Sequence, residues 1–147
     1  EFKETFEFNK HINGNRDGRL VDSCIKTIGA FLNSDGGDLL VGVSDDRQVI
    51  GMERDIKMNR GTTDSFLLHF KNFIEKRIGQ EYYTVIDQRI IQVRGKPILR
   101  VNCDSLKGTG LDVVFVDNED CYIRTNPATD KLTGRELQSF LRTFRSD

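Results

Sequence analysis

The sequence predicts an α+β fold with a mixed, mainly antiparallel sheet and about three helices. Three segments carry apolar residues at helical spacing, and the segments between them are short, β-rich and bounded by turn residues. In chain order the elements are strand, helix, hairpin, helix, meander, hairpin and helix, without a repeat or a linker that divides them. We therefore expect residues 1–147 to form one domain, which is long enough to bury a core.

The first element is predicted to be a short strand over roughly residues 4 to 9. Its period-two pattern places Phe6 and Phe8 inward and Glu7 on the other face, and simple solvent exposure is expected for Glu4 and Glu7. A helix from about residue 18 to 33 follows, because its apolar residues form one stripe at helical spacing. The stripe consists of Leu20, Val21, Cys24, Ile25, Ile28, Phe31 and Leu32.

The rest of the chain is organised around residues 31–51. Gly36 and Gly37 stop the helix and reverse the chain, because glycine adopts positive φ values easily. The apolar run 39–43 is too short for a buried helix and suits a strand that is covered on both faces. A polar turn leads from it to a second short strand at residues 49–50. Gly42 indicates a bulge or a close approach by another group.

The second half of the chain is predicted to contain two helices and two groups of strands. Residues 61–64 offer caps for a helix that ends before Gly79, and residues 133–136 have the side chains of a capping box for the last helix. Between them, period-two segments and tight turns predict a meander and then a hairpin. The meander strands are 82–86, 89–93 and 96–103, and the hairpin strands are 113–116 and 121–124.

The apolar runs and the cysteines indicate where the protein is located. No apolar run approaches the roughly 20 residues that span a bilayer, and no signal peptide opens the chain. Cys24, Cys103 and Cys121 lack metal-ligand spacing and fit reduced core thiols. We therefore expect an intracellular protein, cytoplasmic or nuclear, without a membrane partner. Because the first residue is not Met, we expect the domain to be excised from a longer protein.

Two groups of charged residues are candidates for a functional site. Carboxylates that converge from neighbouring strands can hold Mg²⁺ or Mn²⁺, and here they flank the first and central strands: Glu4, Glu7, Asp38, Asp45 and Asp46. Basic residues in loops can neutralise phosphates: Lys10, Arg16, Arg19, Arg47, Lys96, Lys107, Arg124 and Lys131. Tyr82 and Tyr122 are candidates for stacking on bases.

Several segments resemble a known family. They are Thr-Phe-Glu-Phe-Asn-Lys at 5–10, the long segment 28–46 with its Gly-Gly turn and Gly-Val-Ser-Asp-Asp end, Val-Ile-Gly at 49–51, and Cys-Tyr-Ile-Arg at 121–124. In this order they resemble the AlbA-like domain of Schlafen proteins, which also occurs in prokaryotic proteins described as DNA-binding or transcriptional regulators. The family pattern contains a Glu-Phe-Lys strand, a Gly-Gly turn, a strand that ends in Gly-Val-Asp-Asp, and a Tyr-Val-Arg strand.

The resemblance implies that the domain binds RNA or DNA in a positively charged groove between two lobes or two subunits. A homodimer, or a second lobe, is therefore expected. Binding itself requires no cofactor. The residues expected to contact the nucleic acid are Lys10, Arg16, Arg19, Arg47, Lys96 and Arg124.

For some relatives the resemblance also implies Mg²⁺- or Mn²⁺-dependent cleavage of structured RNA such as tRNA. The family's carboxylates then correspond to Glu7 and Asp45 as metal ligands, whereas the position five residues before Glu7 is Phe2, with Glu4 nearby. Three functions stay open. They are a nucleic-acid-binding module, a metal-dependent endoribonuclease with Glu7, Asp45 and Glu4 as catalytic residues, and an oligomerisation or protein-interaction domain.

Overall fold

A computed structural model describes residues 1–9 and 15–146. Over these residues the strands are β1 (Phe2–Lys3), β2 (Phe8–Asn9), β3 (Asn15–Arg16), β4 (Gly37–Val41), β5 (Ile86–Val93), β6 (Lys96–Cys103), β7 (Cys121–Thr125) and β8 (Ala128–Leu132). The helices are α1 (Gly18–Leu32), α2 (Glu53–Lys57), α3 (Thr63–Arg77) and α4 (Gly134–Ser146), with a 3-10 helix over Gln80–Val85. The α+β class is therefore confirmed.

Four strands form the main sheet in the order β1-β4-β6-β5. β1 pairs with β4 in parallel, whereas the β4–β6 and β6–β5 pairs are antiparallel. Two separate antiparallel pairs, β2–β3 and β7–β8, lie outside this sheet. The main sheet is thus mixed and mainly antiparallel, as the sequence predicts.

The main core lies between one face of this sheet and the helices α1 and α3. The inward residues of β4 and β6 are completely buried: Leu39, Val41, Leu99 and Val101. The predicted apolar stripe of α1, except for Leu20, packs in the same cluster as Phe66, Phe70 and Ile74 of α3. A side chain at Gly42 would approach Met52 Cγ to 3.0 Å at a φ of +101°. This is the close approach that the glycine predicts.

The prediction of one strand over residues 4 to 9 is wrong. The chain forms β1 and β2 with an irregular segment between them, because the buried carboxylate of Asp55 binds this segment. It accepts hydrogen bonds from Thr5 Oγ1 (2.7 Å) and from the backbone N–H groups of Phe6 (3.1 Å) and Glu7 (3.0 Å). A side chain thus replaces the neighbouring strand as hydrogen-bond acceptor. Phe6 and Phe8 are buried as predicted, but Glu7 is buried too.

Three other differences follow β4 in the chain. Residues predicted as the first meander strand form the 3-10 helix, which buries Tyr82 and Val85 at a spacing of three, and β5 then continues without a turn. The segment 113–116 makes a single bridge, between Val116 and Asp120, because β7 pairs with β8 instead. The helix α2 was not predicted. It is only five residues long.

Candidate nucleic-acid interface

Four basic side chains line one cleft between β1, α1 and the β7–β8 hairpin. The cleft has a volume of about 450 Å³, and its basic residues are Lys3, Lys26, Arg124 and Lys131. One acidic residue, Glu1, lines it as well. Positive charge therefore exceeds negative charge, and the local composition favours an anionic ligand.

Arg124 is the most rigidly held of the four. Its guanidinium group donates to Glu1 Oε1 at 2.7 Å and to Thr129 Oγ1 at 2.9 Å, and it lies over the ring of Phe31 at 5.2 Å. Its backbone N–H donates to Ser34 Oγ at 2.8 Å, so that the end of α1 is tied to β7. Only 16% of its side chain is exposed. A guanidinium group fixed in this way is well placed for directional contacts with phosphate oxygens.

The lysines of α1 and β1 are held against neighbouring side chains. Lys3 Nζ donates to Ser23 Oγ at 2.6 Å and lies 3.2 Å from Glu1 Oε2. Lys26 Nζ lies over the ring of Tyr122 at 5.7 Å. Burial raises the pKa of Glu1, but its hydrogen bond to Arg124 and the charge of Lys3 outweigh this, and the net shift is downward. Glu1 thus stays ionised and orients two of the cations.

Lys131 lies at the outer rim of the cleft on β8. Its Nζ is 3.1 Å from Asp120 Oδ1, and this hydrogen bond raises the pKa of Lys131. Half of the side chain is exposed. Because an exposed ion pair of this kind is weak, Lys131 can exchange Asp120 for a phosphate at little cost.

The structure separates the basic residues that the sequence predicts as nucleic-acid contacts. Arg124 lines the cleft, but Arg47 lines a trough on the opposite, outer face of the sheet, and Lys96 lies at the start of β6. Arg16 ends β3, and Arg19 lies in the first turn of α1. Lys10 lies outside the described residues.

Arg16 and Arg19 are each paired with a carboxylate. Arg16 Nη1 lies 3.3 Å from Glu7 Oε2 and its guanidinium group is over the ring of Phe8, whereas Arg19 makes two hydrogen bonds to Asp17, the N-cap of α1. Arg19, Ser23 and Lys26 follow one another at helical spacing, so the exposed face of α1 connects this region with the cleft.

Sequence reasoning missed Lys3 and Lys26 as site residues. Lys3 precedes the strand that the sequence predicts over residues 4–9, and Lys26 lies outside the apolar stripe by which the sequence identifies its helix. The polar face of that helix, at positions 19, 23 and 26, was the available signal. Tyr82 and Tyr122 are both buried, so neither ring lies open for stacking in this structure.

The predicted carboxylates have different surroundings. Glu7 is buried and binds His69 Nε2 at 3.1 Å as well as Arg16, whereas Asp45 lies on the exposed turn after β4. Glu4 is half-buried and follows β1. Within residues 1–9 and 15–146, no group of three His, Cys, Asp or Glu side chains could hold a metal ion. The strand beside β4 is Phe2–Lys3, within the sequence Glu1-Phe2-Lys3, and not a strand through Glu7.

Comparisons with known proteins give one family and a fold. A family model described as Schlafen, AlbA_2 matches residues 1–133. The DIP2311 protein of Corynebacterium diphtheriae has a TM-score of 0.53 and 18% identity over 80% of this chain, which spans 20% of that protein's length. The N-terminal domain of a RecG-related protein of Nitrosomonas europaea has a TM-score of 0.45 and 20% identity, over 65% of this chain and 62% of that one. A search of curated proteins found no match.

None of the helices in the described part of the chain combines the length and the apolar character that crossing a membrane requires.

Proposed function

The chain belongs to the Schlafen AlbA_2 family, and on this premise we propose that it is a nucleic-acid-binding domain whose cleft contacts the phosphate backbone. The observation that carries the proposal is the convergence of Lys3, Lys26, Arg124 and Lys131 on one cleft, whose described lining residues include one carboxylate, Glu1. The cationic side chains of such a cleft displace counterions from the phosphate backbone, and the affinity gained in this way does not depend on base sequence.

The four cations have different roles in this proposal. Arg124, held by Glu1 and Thr129, supplies a fixed pair of N–H donors for one phosphate group. Lys3, Lys26 and Lys131 act as point charges beside it. Arg16 and Arg19 remain predicted contacts for a longer ligand that continues along α1.

The experiment compares two double charge reversals. Fluorescence anisotropy with a labelled RNA hairpin and a labelled DNA duplex, at several KCl concentrations, gives affinity and its salt dependence. Lys26→Glu with Lys131→Glu is expected to weaken binding of both ligands and to lower the log–log salt slope by roughly 1.4 to 1.8, the contribution of two phosphate contacts. Arg54→Glu with Lys57→Glu, on α2, changes net charge equally outside the cleft and is the control.

Equal losses in the two variants would show a general charge effect and refute the cleft as the binding site. Affinity that does not change with salt would refute electrostatic binding altogether.

Metal-dependent cleavage remains the alternative proposal, with Glu7, Asp45 and Glu4 as its predicted residues. The same RNA samples are incubated with Mn²⁺ and separated on a denaturing gel. If these carboxylates cleave RNA, Asp45→Ala abolishes the products while the hairpin stays bound. If the domain only binds, no product appears in either protein.

A further inference from the structure

The outer edge of β5 is a long strand edge without a strand partner in the described part of the chain. β5 is the last strand in the order β1-β4-β6-β5. Its eight residues pair one to one with β6, from Ile86 opposite Cys103 to Val93 opposite Lys96, so no bulge distorts it. It also contains no proline. Such an edge presents free backbone N–H and C=O groups to any strand of suitable side-chain pattern.

The side chains in the first part of β5 differ between its two faces. Asp87 and Arg89 share one face of the sheet, are 57% and 70% exposed, and form an ion pair at 2.9 Å. Ile86 and Ile90 share the other face, where Ile86 is buried and Ile90 is covered only in part. The edge therefore carries one positive charge, one negative charge and two incompletely buried isoleucines, Ile90 on the core side and Ile91 on the side of the ion pair.

This pattern selects one register for a symmetric pair of β5 strands. A twofold axis perpendicular to the sheet pairs two copies antiparallel and keeps each face on the same side, so the possible registers are centred on single residues. Centring on Asp87 or on Arg89 brings like charges opposite each other, and every other register except the one centred on Gln88 places the two charges opposite apolar residues or residues outside β5. Centring on Gln88 places Asp87 opposite Arg89 of the second copy, and Ile86 opposite Ile90.

We propose that this chain self-associates through β5, which pairs with β5 of a second copy in the register centred on Gln88. The two four-stranded sheets then become one sheet of eight strands, and each Ile90 is covered by Ile86 of the other copy. The ion pair within each chain is exposed and contributes little, so exchanging it for pairs between the chains costs little. This pairing does not enclose the groove between two subunits that the family resemblance implies, because the cleft borders β1 at the other end of the sheet, and it does not depend on nucleic-acid binding.

Complementary charge reversals test the register, by sedimentation velocity of the 147-residue chain without nucleic acid. The unchanged chain is expected to dimerise. Asp87→Arg alone, or Arg89→Asp alone, creates two like-charged facing pairs and is expected to raise the dimer dissociation constant on the order of tenfold. An equimolar mixture of the two variants restores opposite charges across the axis, and so does the double variant. Both are expected to regain the original affinity.

Lys57→Asp, an exposed reversal on α2, is the control and should leave the dimer unchanged. Recovery of dimerisation by the double variant separates a loss of pairing from a loss of folding. A monomer at high micromolar concentration overturns the proposal. So does a dimer that neither reversal weakens, because another surface would then form it, or a mixture that remains monomeric.

Discussion

Replacing Asn33 by Ala tests how the cleft is held together. Asn33 follows α1 and has no exposed surface. Its Nδ2 donates to the carbonyl groups of Val114 and Tyr122, both at 3.0 Å, and its Oδ1 accepts from the N–H of Val114 at 2.8 Å. The substitution removes three buried hydrogen bonds, each with a net contribution of about 1 kcal/mol, and it leaves three backbone groups without a partner. We therefore expect the free energy of unfolding to decrease by about 3 to 4 kcal/mol.

The loss is measured by urea and thermal unfolding, followed by circular dichroism. For a chain of this size it corresponds to a decrease of about 6 to 15 °C in Tm. The matched control is Asn72→Ala on the exposed side of α3, which should change stability by no more than about 0.5 kcal/mol. Nucleic-acid binding should weaken as well, because β7 carries Arg124. A loss of less than about 1 kcal/mol would refute the reasoning, since the partners of Asn33 would then be satisfied without it.

Two further predictions concern ionisable groups. The hydrogen bond from Arg77 lowers the pKa of Asp117, so the carboxylate stabilises the fold at neutral pH and loses this contribution as pH falls below about 4. In urea unfolding at pH 7 and pH 3, Asp117→Asn should show a smaller difference in stability than the unchanged protein, and an equal difference would count against the ion pair. Burial raises the pKa of Cys24 to about 12 and of Cys121 to about 11, and it raises that of Cys103 as well. A thiol reagent at pH 8 should label no cysteine in the folded protein and all three after unfolding.

Two buried polar side chains hold segments of the chain in place by hydrogen bonds. Asn33 ties the end of α1 to β7, and Asp55 of α2 binds the backbone between β1 and β2. A buried carboxylate or amide is costly unless its hydrogen bonds are satisfied, and both of these residues have their partners. Each therefore determines the path of one segment beside the core. The contact between Asn33 and β7 helps to determine the arrangement of the cleft, because β7 positions Arg124 beside Glu1, next to β1.

The proposed dimer contact and the proposed nucleic-acid cleft lie at opposite ends of the main sheet. β1, which borders the cleft, is one end strand, and β5 is the other. Pairing through β5 thus leaves the β1 edge unoccupied. The two tests are therefore independent. Charge reversals in β5 need not change binding by a single chain, and charge reversals in the cleft need not change the dimer.

The sequence by itself determined the elements whose signals are local. Apolar periodicity predicted α1, α3 and α4, because a helix that packs on a core repeats its apolar residues every three to four positions. The short apolar run with its flanking turns predicted β4, and period-two patterning with a tight turn predicted β6 with its bounds. These signals also led to the α+β class, whereas the family resemblance rested on the sequence motifs at 5–10, 28–46, 49–51 and 121–124.

Only the tertiary structure decided which distant residues meet. Glu7 has the pattern of an outward strand residue, yet it is buried, because Asp55, 48 positions away, binds its backbone N–H. Lys3, Lys26 and Arg124 belong to three different elements. They converge because β1, α1 and β7 pack together, and no periodic pattern in the sequence predicts that packing. The outer edge of β5 likewise follows from strand order alone. Periodicity reports which face of an element is apolar, whereas the identity of its neighbours depends on long-range contacts that a local pattern does not contain.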